Sequence, residues 1–135
     1  MSVSQEARSL FEEARKVAKN STCLKSQTAA LVVKDNQIVG KACNLCSPDG
    51  FQHGSPVSHC PRMGLVTGEH YDLCKSLHAE YLAIMDAGRE NCLGATLYLT
   101  GHSYVCWECE SAARLYGIVA IKIDPAPIYA AQQTE

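Results

Sequence analysis

The sequence predicts a single α/β domain, one sheet covered by helices. Two observations predict it. Stretches with apolar residues at three- and four-residue spacing alternate with short apolar, β-branched runs. Their order along the chain, α, β, β, α, β, α, β, argues for one sheet with helices packed on it. The length of 135 residues suits one compact domain, and 47% hydrophobic against 19% charged residues is enough for a real core.

The elements follow in order. From Gln5 to Lys19 the apolar positions Ala7, Leu10, Phe11, Ala14, Val17 and Ala18 mark an amphipathic helix, with Ser4 and Glu6 at its start. Thr28 to Lys34 (TAALVVK) reads as a buried strand and Gln37 to Ala42 (QIVGKA) as its hairpin partner, joined by the turn residues Asp35-Asn36. A long irregular stretch, 44–72, holds Pro48, Pro56 and Pro61, four glycines, three histidines and two cysteines. It is too long for an ordinary connection, and a bound metal is one way to order it. Leu73 to Ala87 returns to helical spacing, closed by Gly88. Ala95 to Thr100 (ATLYLT) is a third strand, Cys106 to Tyr116 a helix closed by Gly117, and Ile118 to Ile123 (IVAIKI) a fourth strand. Asp124, Pro125 and Pro127 end it, leaving a short tail, 124–135.

Charge and cysteine usage exclude several classes. A net charge of -2 offers no basic footprint, so duplex nucleic acid is not an expected partner and a small molecule is. No apolar run approaches the roughly 20 residues of a membrane span, and the charged, amphipathic N-terminus is not a secretory signal. Eight cysteines without an export signal point to metal or redox chemistry in the cytoplasm rather than to disulfides.

The sharpest feature is a pair of short motifs: His78-Ala79-Glu80, near the middle of a predicted helix, and Cys106-Trp107-Glu108-Cys109, at the start of the next. Either alone is weak; a lone helical histidine is more often packed or solvated, and a lone CxxC has several readings. Together, one imidazole and two thiolates form a natural zinc shell whose fourth position stays open for water. Glu80, two residues from His78, is placed to carry a proton, and a helix start favours thiolates through its unbonded N–H groups and its dipole. The two helices are expected side by side, N-termini toward the metal.

On these residues the chain resembles the zinc-dependent cytidine and deoxycytidylate deaminase family, whose signature is H-x-E with P-C-x-x-C. The run Ser21 to Asn44, with Cys23 and the hairpin, and the run Cys60 to Ile84 (CPRMGLVTGEHYDLCKSLHAEYLAI) are similar to deoxycytidylate deaminases. The resemblance implies a three-layer α/β/α fold with a mixed sheet of four to five strands. It implies that His78, Cys106 and Cys109 hold a catalytic Zn2+ and that Glu80 is the general acid/base. The reaction would be hydrolysis of the amine from a cytosine nucleotide or nucleoside, releasing ammonia. Asn44 would face the sugar of the substrate, and family resemblance also implies a homo-oligomer. Departures fall where substrate is read: Val105 replaces the proline, the loop from Thr100 to Cys106 is about two residues longer, Leu82 replaces an asparagine, and Leu45 replaces a glycine with Cys46 following.

The same relatives often carry a second, structural zinc. Cys23, Cys60 and Cys74 align with its ligands, and the fourth is His53 or its rival His59; the alternative is a set of reduced, buried cysteines. Cys43, Cys46 and Cys92 read as small buried hydrophobes. Ala79, His102 and Tyr104 are candidates for lining the substrate pocket, Trp107 for the pocket, the core or a partner subunit. Arg62, Lys75, Arg89, Arg114 and Lys122 include the candidates for a phosphate contact. Three other readings compete: a deaminase of another aminated ring (purine, pterin-like or nucleoside antibiotic), a CxxC redox protein, and an inactive scaffold that keeps the metal. The redox reading gives His78 and Glu80 no role, and an inactive scaffold has no need of Glu80.

Overall fold

The computed structural model describes residues 5–21, 27–45 and 78–125. Cys23, Cys46, His53, His59, Cys60, Arg62, Cys74 and Lys75, most of the 44–72 stretch and the tail from 126 lie outside the described residues. Helix α1 spans Gln5–Ala18, β1 Ala29–Lys34, β2 Gln37–Cys43, α2 Ala79–Ala87, α3 Arg89–Cys92, β3 Thr96–Thr100, α4 Trp107–Leu115 and β4 Ala120–Ile123. The four strands form one sheet in the order β2-β1-β3-β4. β1 is antiparallel to both β2 and β3, and β3 is parallel to β4, so the sheet is mixed.

Strand β1 is central, and its residues Ala29 to Val33 are buried whichever face they point to. Alternation along the pleat then divides the core in two. Ala30 and Val32, with Leu97 and Leu99 of β3, pack under α2 and α4 together with Ala79, Ala83, Ile84, Ala87 and Ala113. Leu31 and Val33, with Tyr98, pack under α1 against Ala7, Phe11 and Ala14, and the rings of Phe11 and Tyr98 meet edge to face at 5.4 Å. Three layers, α/β/α, follow from that two-sided burial. Cys43 and Cys92 sit in this interior as expected, at 9% and 0% exposure, and burial pushes both thiols up from their ordinary range.

The hairpin turn Asp35-Asn36 has positive φ at both residues, 52° and 63°, as the tight turn between twisted antiparallel strands requires. Gly40 on β2 is where α2 comes closest to the sheet: a Cβ there would lie 2.6 Å from the Ala83 carbonyl oxygen and 2.6 Å from the Ala87 methyl. Only a bare backbone lets the helix settle at this depth.

Two differences from the sequence reading concern α2. His78 has extended backbone (φ -71°, ψ 142°) and is the N-cap, so α2 opens at Ala79 and His78 is not within it; Leu73 to Leu77, read as part of the same helix, lie outside the described residues. Leu73 and Leu77 continue the apolar spacing, but spacing does not mark where the backbone enters a helix. Beyond Gly88, whose φ of 83° ends α2, the single turn α3 was not anticipated. No described helix is long and apolar enough to cross a membrane.

Candidate metal centre

Because β2, β3 and β4 run in one direction, their carboxyl ends lie along one edge of the sheet. That edge carries Asn44 after β2, the Gly101 to Val105 loop after β3, and Asp124 after β4. Open α/β sheets hold their ligands in the crevice outside such ends.

The two motifs meet through helix starts. His78 is the N-cap of α2 and Cys106 the N-cap of α4, and neither cap position is closed by a side-chain hydrogen bond. Cys109 lies one turn into α4 and is buried. The helices pack against each other through Ala79, Ala83 and Ala113, with N-termini together as expected. As a result one donor atom each from His78, Cys106 and Cys109 falls within 4.8 Å of the others, and Nδ1 of His78 is 3.5 Å from Sγ of Cys109. A tetrahedral zinc with bonds of about 2.0–2.1 Å to nitrogen and about 2.3 Å to sulfur needs those two atoms about 3.5 Å apart. The donor set and its spacing therefore fit zinc. The described cysteines, these two included, are free thiols.

Glu80, the second residue of α2, is 4% exposed. Its carboxyl is raised above the ordinary range by burial, against its own backbone N–H and the nearby His78, which favour the charged form. Cys109 is pushed up to about 12, first by burial, then by the negative charges of Glu80 and Cys106, with the Tyr81 backbone N–H acting the other way. Two thiols, a carboxyl and an imidazole crowded at two helix starts form a site whose negative charge a divalent cation would offset.

The remaining candidates are placed as follows. Asn44 is 6% exposed, and its Oδ1 accepts hydrogen bonds from the Thr28 backbone N–H and the Ser21 hydroxyl. His102 and Tyr104 lie in the loop after β3 with rings 5.6 Å apart, edge to face. Ala79 is wholly buried in the core beneath the site. Trp107 is 73% exposed, so it does not pack in the core of this chain. Among the phosphate candidates, Arg114 pairs with Glu110 toward the far end of α4, and Arg89 stacks 5.8 Å from the Tyr116 ring beyond the far end of α2. Lys122 is exposed on β4, beside Tyr98 in register.

Sequence reasoning passed over two supports of this edge. One is Ser21 with Thr28, which hold Asn44. The other is Asp124, read only as a strand terminator. Its carboxylate accepts from Nε and Nη2 of Arg15 at 2.8 and 2.6 Å and from the Thr100 hydroxyl at 2.6 Å. Partners this far apart along the chain leave no local signal.

An α/β/α sheet with three donors spaced for a metal and a buried carboxyl two residues from one of them defines a protein equipped for metal-assisted hydrolysis. The comparison with known proteins agrees and narrows it. The cytidine and deoxycytidylate deaminase zinc-binding region matches residues 4–124, and the chain belongs to that family of hydrolytic deaminases. It is 35% identical over 108 residues to the deoxycytidylate deaminase of Mycobacterium phage D29, covering 75% of this chain and 80% of that one. It is 30% identical over 110 residues to the deoxycytidylate deaminase of Schizosaccharomyces pombe, covering 80% of this chain but 33% of the yeast protein. In fold it is similar to the dCMP deaminase of cyanophage S-TIM5 in complex with dCMP and dUMP, with a TM-score of 0.62, 18% identity, and 97% and 91% of the two chains covered. It is also similar to Acinetobacter baumannii RibD, with a TM-score of 0.53 and 19% identity, covering 88% of this chain and 28% of RibD.

Proposed function

We propose that this chain is a zinc-dependent hydrolytic deaminase of a cytosine nucleotide, dCMP or a close analogue. The observation that carries the reading is the meeting of His78, Cys106 and Cys109 within 4.8 Å at two helix starts. The buried Glu80 stands two residues from the imidazole. The substrate class is supported by the deoxycytidylate deaminases among the relatives and by the dCMP and dUMP held by the cyanophage neighbour.

In this reading His78, Cys106 and Cys109 hold the ion. Zinc bound there supplies Lewis acidity, which makes water a competent nucleophile at neutral pH. Glu80 does the proton work. It accepts a proton as water attacks the ring carbon that bears the amine, and it delivers a proton to the departing nitrogen. The C–O bond forms, the C–N bond breaks, and the products are a ring carbonyl and ammonia. Burial suits Glu80 to both duties, because a carboxyl raised from its ordinary range takes a proton more readily than an exposed one. Asn44, His102 and Tyr104, on the same sheet edge, are the proposed substrate contacts, with Ala79 part of the pocket floor. The whole of 1–135 is proposed as one deaminase domain, in a cytoplasm that keeps its thiols reduced. No duplex nucleic acid or membrane partner is proposed.

We extend the reading to a homo-oligomer. Trp107 at the first turn of α4, and Tyr81 and Met85 one turn apart on α2, expose 73%, 48% and 62% of their surface on the two helices that carry the donor cluster. Large apolar side chains so placed suit a subunit interface that completes the pocket.

The direct test is ammonia release from dCMP, CMP, deoxycytidine, cytosine, adenine nucleotides and a pterin. Turnover of dCMP far above the purines and the pterin is expected; turnover confined to a purine or pterin overturns the substrate class. We also propose the second, structural zinc on Cys23, Cys60, Cys74 and His53, which the family resemblance supports. Metal analysis of the purified protein is then expected to give about two zincs per chain, and a firm single equivalent removes that second site.

A further inference from the structure

Thr100, the last residue of β3, is buried, and so is Asp124 at the end of β4. The Thr100 hydroxyl donates to Oδ2 of Asp124 at 2.6 Å, the short distance of a bond to a charged acceptor. Arg15 of α1 grips the same carboxylate through Nε and Nη2. The Asp124 backbone N–H donates to the Leu99 carbonyl at 2.8 Å, so the ends of β3 and β4 are tied through main chain and side chain alike. Gly101 follows with a φ of 95°, pressed against the next segment: a Cβ there would lie 2.8 Å from Cα and 2.9 Å from the methyl of Thr28. The chain is thus held from two sides where it leaves the sheet. Residues 101–105 alone separate this point from Cys106, the N-cap of α4 and one of the three donors. At the far end of that span Val105 packs on the core that also holds Ala113 of α4. So short a span has little slack between two fixed ends.

We infer that Thr100 is a positioning residue: its hydroxyl, held by the Arg15–Asp124 pair, sets the direction in which 101–105 leave β3 and so the place where Cys106 meets His78 and Cys109. This rests on Cys106 being a zinc donor, as the deaminase reading has it, and adds what aims that donor. The support comes from α1, in the layer of the fold opposite α2 and α4. Packing alone does not call for threonine here. Valine has nearly the same shape and suits a strand at least as well, so what threonine adds is the bond to Asp124.

The experiment uses the full-length protein and its Thr100→Val and Thr100→Ser variants, dialysed against graded free-zinc buffers and assayed for bound zinc. Thr100→Val is expected to move one zinc-binding step to about 10-fold higher free zinc, the lower end of what supports behind a metal ligand are worth. Thr100→Ser keeps the hydroxyl and is expected to bind within about two-fold of the parent. Serine is the poorer strand former and removes a buried methyl, so a role in packing alone predicts the opposite order. Zinc steps left in place by Thr100→Val, or moved equally by both variants, overturn the inference and leave the deaminase reading standing. If Thr100→Val does not accumulate, Arg15→Lys keeps the charge but not the paired donors that hold Asp124, and an unmoved step in that variant overturns it equally. A parent that binds zinc yet releases ammonia from no substrate removes the deaminase reading, and the order of the zinc steps still decides the inference. A parent that binds no zinc removes both.

Discussion

Glu80→Gln is expected to lower kcat by about 1,000- to 10,000-fold or more while zinc content and fold survive. One positioned proton-transfer group is typically worth 10²–10⁴ in rate, roughly 3–5.5 kcal/mol of barrier. In the proposed reaction Glu80 serves twice, first for water and then for the leaving amine, so the upper part of that range applies. The substitution is close to isosteric, so the packing around a residue 4% exposed is kept. Stability should not fall. Burial already disfavours the charged carboxylate, and a neutral amide avoids that penalty. The expected pattern is therefore an inactive protein at least as resistant to heat as its parent, as functional groups held in costly surroundings produce. Single-turnover assays, metal analysis and a thermal melt on the same preparation check it. A variant retaining more than about a tenth of parental kcat contradicts the role, since a proton-transfer group of ordinary worth cannot be lost so cheaply.

The parts legible in the sequence are those whose causes are local. The spacing of Ala7, Phe11 and Ala14 sets α1. Two residues able to take positive φ, Asp35 and Asn36, set the hairpin, and Gly88 and Gly117 end their helices. The candidate donor cluster was readable because two short motifs each sit at a helix start, and only their spatial meeting needed the fold. His78 was misplaced within its helix because apolar spacing runs smoothly through Leu73 and Leu77 and hides the extended backbone of the N-cap. The exposure of Trp107 was not readable either. A residue between the two cysteines of a CxxC motif can point inward or outward, and α4 turns it outward. What stayed hidden altogether is the support behind the site. The clasp of Asn44 by Ser21 and Thr28, and the Asp124 contacts, join segments whose sequences carry no mark of one another.

Those Asp124 contacts lead to the second large effect, an asymmetric one. Arg15 and Asp124 are 109 residues apart, yet they form two parallel hydrogen bonds, and the Asp124 side chain is 1% exposed against 44% for Arg15. The hydrogen bonds to Asp124 are the chief cause that raises the Arg15 guanidinium above its ordinary range. Removing the arginine takes the charged partner from a buried carboxylate, which keeps the Thr100 hydroxyl among its hydrogen-bond donors. Removing the carboxylate leaves a guanidinium that can turn to water. Arg15→Ala is therefore expected to cost about 3–5 kcal/mol, the usual range for removing one partner of a buried ion pair. Asp124→Asn is expected to cost about 1–2 kcal/mol, because the half-exposed partner rehydrates and solvent screens its share of the interaction. In a domain of this size the arginine change should lower the melting temperature by roughly 10 °C or more. Urea titrations of the two variants check the ordering, and equal costs would show that the carboxylate is not carrying a buried charge. The consequence reaches the site, because Thr100 is the last residue of β3 and the next segment carries His102, Tyr104 and then Cys106. The ion pair between α1 and the end of β4 thus fixes the point from which the loop leading to Cys106 departs.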